Sequence, residues 1–208
     1  MKTVKNLGDV RRFWNRQSEG YDRKMRMADE KFFGDTRSWL CGRARGETLE
    51  VAVGTGLNLA HYPDSVELTG IELSPEMLRH AEEKAEASGR GADLRVGDAQ
   101  SLDFPDGRFD SVVCTFSLCA IPDERRAVEE MVRVLKPGGR LLLADHVIAT
   151  SAWIRAIQRV ADLVSIPFAG EHFRRRPYEH VKRLGLTFAA HTRFKKGLVE
   201  RFEAVKPE

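Results

Sequence analysis

The chain has 208 residues, 42% hydrophobic and 31% charged, with a formal net charge of +3: enough for one globular domain with a proper core, too short for a second full one. Its basic excess is split among Lys2 to Arg26, Arg174-Arg175-Arg176, and Arg193 with Lys195 and Lys196, which is too dispersed for a nucleic-acid surface. Cys41, Cys114 and Cys119 lack the paired spacing of a zinc site or disulfide framework and read as free thiols.

Residues 1–45 read as two helical segments, broken near Gly20 and Gly34, that precede a sheet and fold over its ligand end as a lid. Within them Arg11-Arg12-Phe13-Trp14, with Arg23, Lys24 and Arg26, has the basic and aromatic character of an interfacial helix or of a charged lid. From residue 46 apolar runs alternate with amphipathic ones, the pattern of a parallel sheet covered by helices on both faces. Thr48–Val53, Leu68–Glu72, Asp93–Val96, Ser111–Phe116 and Arg140–Asp145 are the predicted parallel strands. Ser74-Pro75-Glu76 starts a helix with a capping hydroxyl, a first-turn proline and an acid, and Gly89 closes it. Pro122 opens the next helix, with Val128, Met131, Val132 and Leu135 on one face, and Lys136-Pro137-Gly138-Gly139 turns it into the fifth strand. Ser151–Ile166 and Pro177–Leu184 read as helices, and Thr187–Thr192 with Leu198–Val205 as a closing antiparallel hairpin. No charge-free run approaches the ~20 apolar residues of a membrane span, and the N-terminus carries charges without an apolar run. The expectation is a cytoplasmic protein.

The chemistry concentrates at Leu49-Glu50-Val51-Ala52-Val53-Gly54-Thr55-Gly56-Leu57-Asn58. A strand ending in Gly-x-Gly lets backbone N–H groups approach a ligand closely, and the acid Glu72 after the next strand suits the two hydroxyls of a ribose. Glu50 lies beside the turn, where it would repel a pyrophosphate and attract an ammonium or sulfonium. Leu59 stands at the third glycine position of a dinucleotide fingerprint, which disfavours a nicotinamide oxidoreductase.

Five motifs in order carry a resemblance: Leu49–Gly56, Gly70–Leu78, Gly97-Asp98-Ala99-Gln100, Phe109-Asp110-Ser111-Val112-Val113, and Val134–Gly139. Over roughly residues 20–205 the chain resembles class I S-adenosylmethionine-dependent methyltransferases, in the small bacterial branch related to quinone and phosphatidylethanolamine methyltransferases. The resemblance implies an α/β fold: a Rossmann-like, seven-stranded, mostly parallel sheet with helices on both faces, a closing hairpin, a lid over 1–45 and a cofactor domain over 46–208. It implies S-adenosylmethionine as cofactor, held by Glu50, Ala52, Gly54, Thr55, Gly56, Asn58, Glu72, Leu73, Met77, Asp98, Ala99 and Thr115. In that set Glu50 takes the ammonium directly or through water, Glu72 the ribose, Asp98 the adenine amino group and Met77 the adenine face; Ala52 stands where the family has glycine. A narrower likeness joins Cys114–Cys119 and Asp145-His146-Val147, with the helix of Trp153 and Gln158, to animal alkyl thiol methyltransferases bound to lipid membranes.

Two residues are candidates for the transfer itself. His146 ends the fifth strand on the ligand side, where a histidine suits a general base, and Tyr21 in the lid would orient the acceptor. Cys114 and Cys119 read as packing residues, and His172 with Arg174–Arg176 as a solvated loop. Leu163–Ala169 is expected to form a greasy cavity wall. The expected acceptor is small or lipid-like, methylated at O, N or S, with no nucleic-acid or metal partner. Phosphatidylethanolamine methylation at a membrane surface, through peripheral contact at its inner face, and a noncatalytic cofactor-binding module are the alternatives. The oligomeric state stays open.

Overall fold

The computed structural model describes residues 6–208; the part of the lid expectation that falls on residues 1–5 lies outside them. The strands are β1 (Glu47–Val51), β2 (Glu67–Glu72), β3 (Ala92–Val96), β4 (Phe109–Thr115), β5 (Leu135–His146), β6 (Thr187–Phe194) and β7 (Val199–Val205). They form one sheet in the order β3-β2-β1-β4-β5-β7-β6. β1 to β5 pair in parallel and β7 runs antiparallel to both β5 and β6, as the closing hairpin requires. The order reverses between β1 and β4, so the connections leaving their C-terminal ends run to opposite sides and leave a crevice between them.

The helices are α1 (Leu7–Ala28), α2 (Thr36–Cys41), α3 (Pro75–Ser88), α4 (Glu124–Val134), α5 (Ala152–Ala169) and α6 (Pro177–Arg183). α3 begins as its sequence dictates: the Ser74 hydroxyl accepts from Met77 N, Pro75 sits in the first turn, and Gly89 ends the helix at φ +66°. α4 starts at Glu124 and not at Pro122, because Asp123 caps it by accepting from Arg126 N. The predicted break at Gly20 does not occur: α1 runs through it for 22 residues and ends in a wide turn over Asp29–Phe33, closed by Gly34 at φ +56°. Nothing lies within 4 Å of where a Cβ on Gly20 would stand, and the cost of ~1 kcal/mol for a helical glycine is spread over a long helix. The fifth strand is longer than expected, with Phe109 pairing Leu135 before the register shifts to Ser111 against Arg140.

Two apolar layers flank the sheet. One joins Leu49, Val51, Val112 and Cys114 to α4 and α6, and the other joins Val53, Val113, Leu142 and Ala144 to α2, α3 and the wide turn. The three cysteines are free and buried.

Candidate active site

A cleft of about 830 Å³, its open mouth included, lies over the ends of β1, β2 and β4, within the range of small-ligand sites. Its floor is the turn after β1. Gly54 adopts φ +59° and a Cβ there would meet nothing within 4 Å, so the backbone offers an open cradle to the cleft. Gly56 serves a different need: a Cβ would stand 3.0 Å from Ala81 Cα of α3, so this glycine permits helix packing and does not line the cleft. Ala52 (φ +60°) and Phe116 (φ +52°) end the neighbouring strands in left-handed backbone that side chains disfavour. Both line the cleft, placing backbone strain at the ligand edge.

Glu72 faces the turn. Its Oε2 accepts from Gly54 N at 3.0 Å and its Oε1 from Ser74 N at 2.8 Å. Burial raises its pKa, opposed by the N–H groups of Ser74, Gly54 and Leu73. A carboxylate has more lone pairs than these two bonds occupy, so it can still accept from a diol. Leu73, Met77, Asp98 and Ala99 line the adjoining wall, and Asp98 Oδ1 is fixed by Gln100 N and Nε2, each at 2.9 Å. α1 closes the roof. Thr55 and Lys84 tie Asp22 to the turn, with Thr55 Oγ1 at 2.6 Å from Asp22 Oδ1 and Lys84 Nζ at 2.7 Å from Thr55 O. Trp14 and Tyr21 of the same helix meet edge to face at 5.9 Å and both line the cleft. Burial pushes the Tyr21 hydroxyl pKa up, so this phenol stays protonated. Of the basic, aromatic segment, Trp14 and Tyr21 reach the cleft while its arginines and Lys24 do not line it.

Glu50 and Asn58 do not line the cleft. Side chains alternate along β1, so Leu49 and Val51 enter one layer while Glu50 enters the other. There Glu50 accepts from Asn58 Nδ2 at 2.7 Å and from Tyr62 Oη at 2.9 Å. Asn58 also donates to Thr115 Oγ1 at 2.9 Å and accepts from Arg37 at 3.0 Å. Sequence reasoning does not single out Arg37. It is 9% exposed, pairs with Asp29 at 3.0 Å, lies 5.4 Å from the Phe116 ring centre, and is the sole cation among the described residues lining the cleft. Its one signal is a lone arginine just before the run Trp39-Leu40-Cys41, which is easily taken for surface.

Burial pushes the Glu50 carboxyl up to about 7, against the lowering pull of Tyr62, Asn58 and Arg37. An acid with a raised folded pKa binds its proton more tightly folded than unfolded, so its contribution is intact below about 4.5 and lost as pH climbs through about 7. Glu50→Gln keeps one acceptor for Asn58 and can donate to Tyr62. Its melting temperature should match wild type at pH 5 and exceed it at pH 8, by at most ~3 kcal/mol in stability. An equal gap at both pH values would show that Glu50 does not carry this titration.

At the other end Phe116 stacks on Phe33, with ring centres 3.9 Å apart, and His146 packs against the pair at 5.1 and 5.4 Å. His146 itself does not line the cleft; it packs against Phe116, which does. Asp145 is 1% exposed, accepts from Cys119 N at 3.0 Å and His146 N at 2.7 Å, and sits 3.4 Å from His146 Nδ1. Cys114 and Cys119 are buried thiols whose pKa burial drives well above the usual value, as packing residues should be. The arginine run is less solvated than expected. Arg174 pairs with Asp162 and Arg176 with Glu179, while Arg175 pairs with Glu124 and holds the carbonyls of Leu118, Ile121 and Pro122. None of residues 163–169 lines the cleft, because Gln158 and Asp162 claim the inward face of α5.

A model of the methyltransferase domain matches residues 49–143. The chain is 42% identical over 116 residues to a phosphatidylethanolamine N-methyltransferase of Cereibacter sphaeroides, covering 55% of this chain and 57% of that protein's length. It is 31% identical over 178 residues to the ubiquinone/menaquinone biosynthesis C-methyltransferase UbiE of Geobacter sulfurreducens, covering 78% of this chain and 69% of that one. The chain belongs to the class I S-adenosylmethionine-dependent methyltransferases. The YcgJ protein of Bacillus subtilis shares the fold of this methyltransferase, with a TM-score of 0.67 at 21% identity over 85% of this chain and 98% of that one. The cofactor of the methyltransferase is therefore S-adenosylmethionine. The cleft's donor set fits it: a carboxylate with spare lone pairs for a diol, an open glycine cradle, an apolar wall for a flat ring and a buried cation for a carboxylate.

Proposed function

We propose that this methyltransferase acts on an oxygen, nitrogen or sulfur nucleophile of a small apolar or lipid-like acceptor. The observation that carries the reading is the aromatic lining of the cleft, to which Phe116, stacked on Phe33, contributes together with Trp14 and Tyr21 of α1 and Ile121. Such a wall favours an apolar body, and the relatives' names mention phosphatidylethanolamine and ubiquinone/menaquinone, both molecules with long apolar chains.

In this reading Glu72 accepts from the ribose hydroxyls and Asp98 from the adenine amino group, with Ala99, Leu73 and Met77 against the ring. Arg37 and Thr115 hold the amino-acid end, and Ala52, Gly54 and Thr55 let the backbone pass beneath it. Glu50 acts from behind through Asn58, which fixes Arg37 and Thr115. When bound, the cofactor supplies an activated methyl on a sulfonium. The chain itself orients the nucleophile and excludes water, and orientation alone can supply ~7–11 kcal/mol of the barrier. Tyr21, kept protonated, donates to the acceptor, and His146, which packs against Phe116 beside Asp145 and outside the cleft lining, receives through a bridging water the proton that the nucleophile loses.

Turnover with a panel comprising a long-chain thiol, a short-chain quinol and dispersed phosphatidylethanolamine tests this. His146→Ala should lower turnover by ~10²-fold or more while leaving S-adenosylhomocysteine affinity within about twofold. Unchanged turnover would remove His146 from proton transfer. Tight cofactor binding without turnover of any panel member would favour the second reading, a noncatalytic binding module.

A further inference from the structure

We infer that α5 and the β6–β7 turn form a docking face for an anionic lipid bilayer. α5 is amphipathic in the inverted sense. Gln158 and Asp162 point inward, 6% and 4% exposed, while Trp153, Ile157, Val160, Leu163 and Val164 stand outward at 60%, 56%, 66%, 74% and 61%. Their spacing places them on one stripe of the helix.

The rotation of the helix is fixed by specific bonds. Gln158 Oε1 accepts from Ala149 N at 2.9 Å, and its Nε2 donates to Val147 O at 2.9 Å and Phe173 O at 2.8 Å. Asp162 accepts from Phe173 N at 3.0 Å and pairs with Arg174 at 2.6 Å. Turning the apolar stripe inward would break all of these and bury a carboxylate without a partner. The stripe must therefore find apolar cover outside the chain or remain in water.

Charge selects the cover. Between Ser151 and Gly170 the one acid is Asp162, already paired inside, whereas Arg159 is exposed at the edge of the stripe. The β6–β7 turn presents Lys195 and Lys196 at φ +50° and +57°, and Lys196 Nζ lies 5.4 Å from the Trp153 ring centre. Lys195 shares a shallow groove with Phe32, itself 49% exposed, so the face continues toward the lid. An apolar stripe with a tryptophan at one end and cations at its rim matches the headgroup boundary of an anionic bilayer. Among the described residues no helix is long and apolar enough to cross a membrane, so α5 lies along the surface. Phe173, held by Gln158 and Asp162, packs edge to face with His146 at 6.4 Å, so a docked α5 sets the acceptor end of the cleft beside the lipid.

The test is co-sedimentation of the full chain with vesicles of pure phosphatidylcholine and with vesicles containing 30 mol% phosphatidylglycerol, roughly the anionic content that gives a strong surface potential. It reads binding without turnover, so it stands apart from the acceptor assignment. The expected result is binding to the anionic vesicles, release by high salt, and a blue shift of tryptophan emission that Trp153→Phe removes. Val160→Glu with Leu163→Glu, both at exposed positions, should lower binding at least tenfold while leaving the melting temperature and S-adenosylhomocysteine affinity unchanged. Lys195→Glu with Lys196→Glu should do the same. Equal binding of wild type and the stripe variant overturns the inference. So does a wild-type dimer that ignores vesicles and becomes monomeric on Val160→Glu with Leu163→Glu, since a second copy would then be the cover.

Discussion

Glu72→Ala should weaken S-adenosylhomocysteine binding by about a hundredfold. A hydrogen bond to a charged group contributes ~1.5–3 kcal/mol, two of them to the ribose give ~3 kcal/mol at the low end, and ~1.4 kcal/mol is a factor of ten. The same substitution strips Gly54 N and Ser74 N of their acceptor, at ~1–3 kcal/mol of stability for each N–H left unpaired. Titration calorimetry on protein shown to be folded by circular dichroism measures the affinity, and Glu72→Gln, which preserves shape and one acceptor, guards against a collapsed turn. 5′-Methylthioadenosine, which has the ribose but no amino-acid end, should lose affinity in parallel. Unchanged dissociation constants in folded Glu72→Ala would overturn the ribose assignment.

Arg37→Met should separate the two ligands. The guanidinium is the sole cation among the described residues lining the cleft, and a charge-assisted contact to the ligand carboxylate contributes ~1.5–3 kcal/mol, or roughly ten- to a hundredfold in affinity. S-adenosylhomocysteine binding should fall by that amount, while methylthioadenosine binding stays within about twofold. Losing both equally would mean that Arg37 acts by holding the wide turn through Asp29, with no contact to the ligand's amino-acid end. A folded variant that binds both normally would exclude it from the site.

The amino-acid order by itself determined the sheet, the turn after β1 and the acids after β2 and β3. These are local facts: glycine permits the tight backbone, strand ends fall on one edge of a parallel sheet, and an acid at or just past a strand end must lie at that edge. The capped start of α3 at Ser74 is local in the same sense. Tertiary structure decided what depends on a side chain's direction and on distant partners. Glu50 stands close to the turn in pattern yet does not line the cleft, because strand alternation sends it to Tyr62 and Asn58. Arg37 meets Thr115 across 78 positions of sequence, a contact no local pattern encodes. α5 shows its period in the sequence, but which face turns inward was settled by the partners of Gln158 and Asp162. A buried polar group must be satisfied, and here that need outweighed the pull of five apolar side chains toward the core.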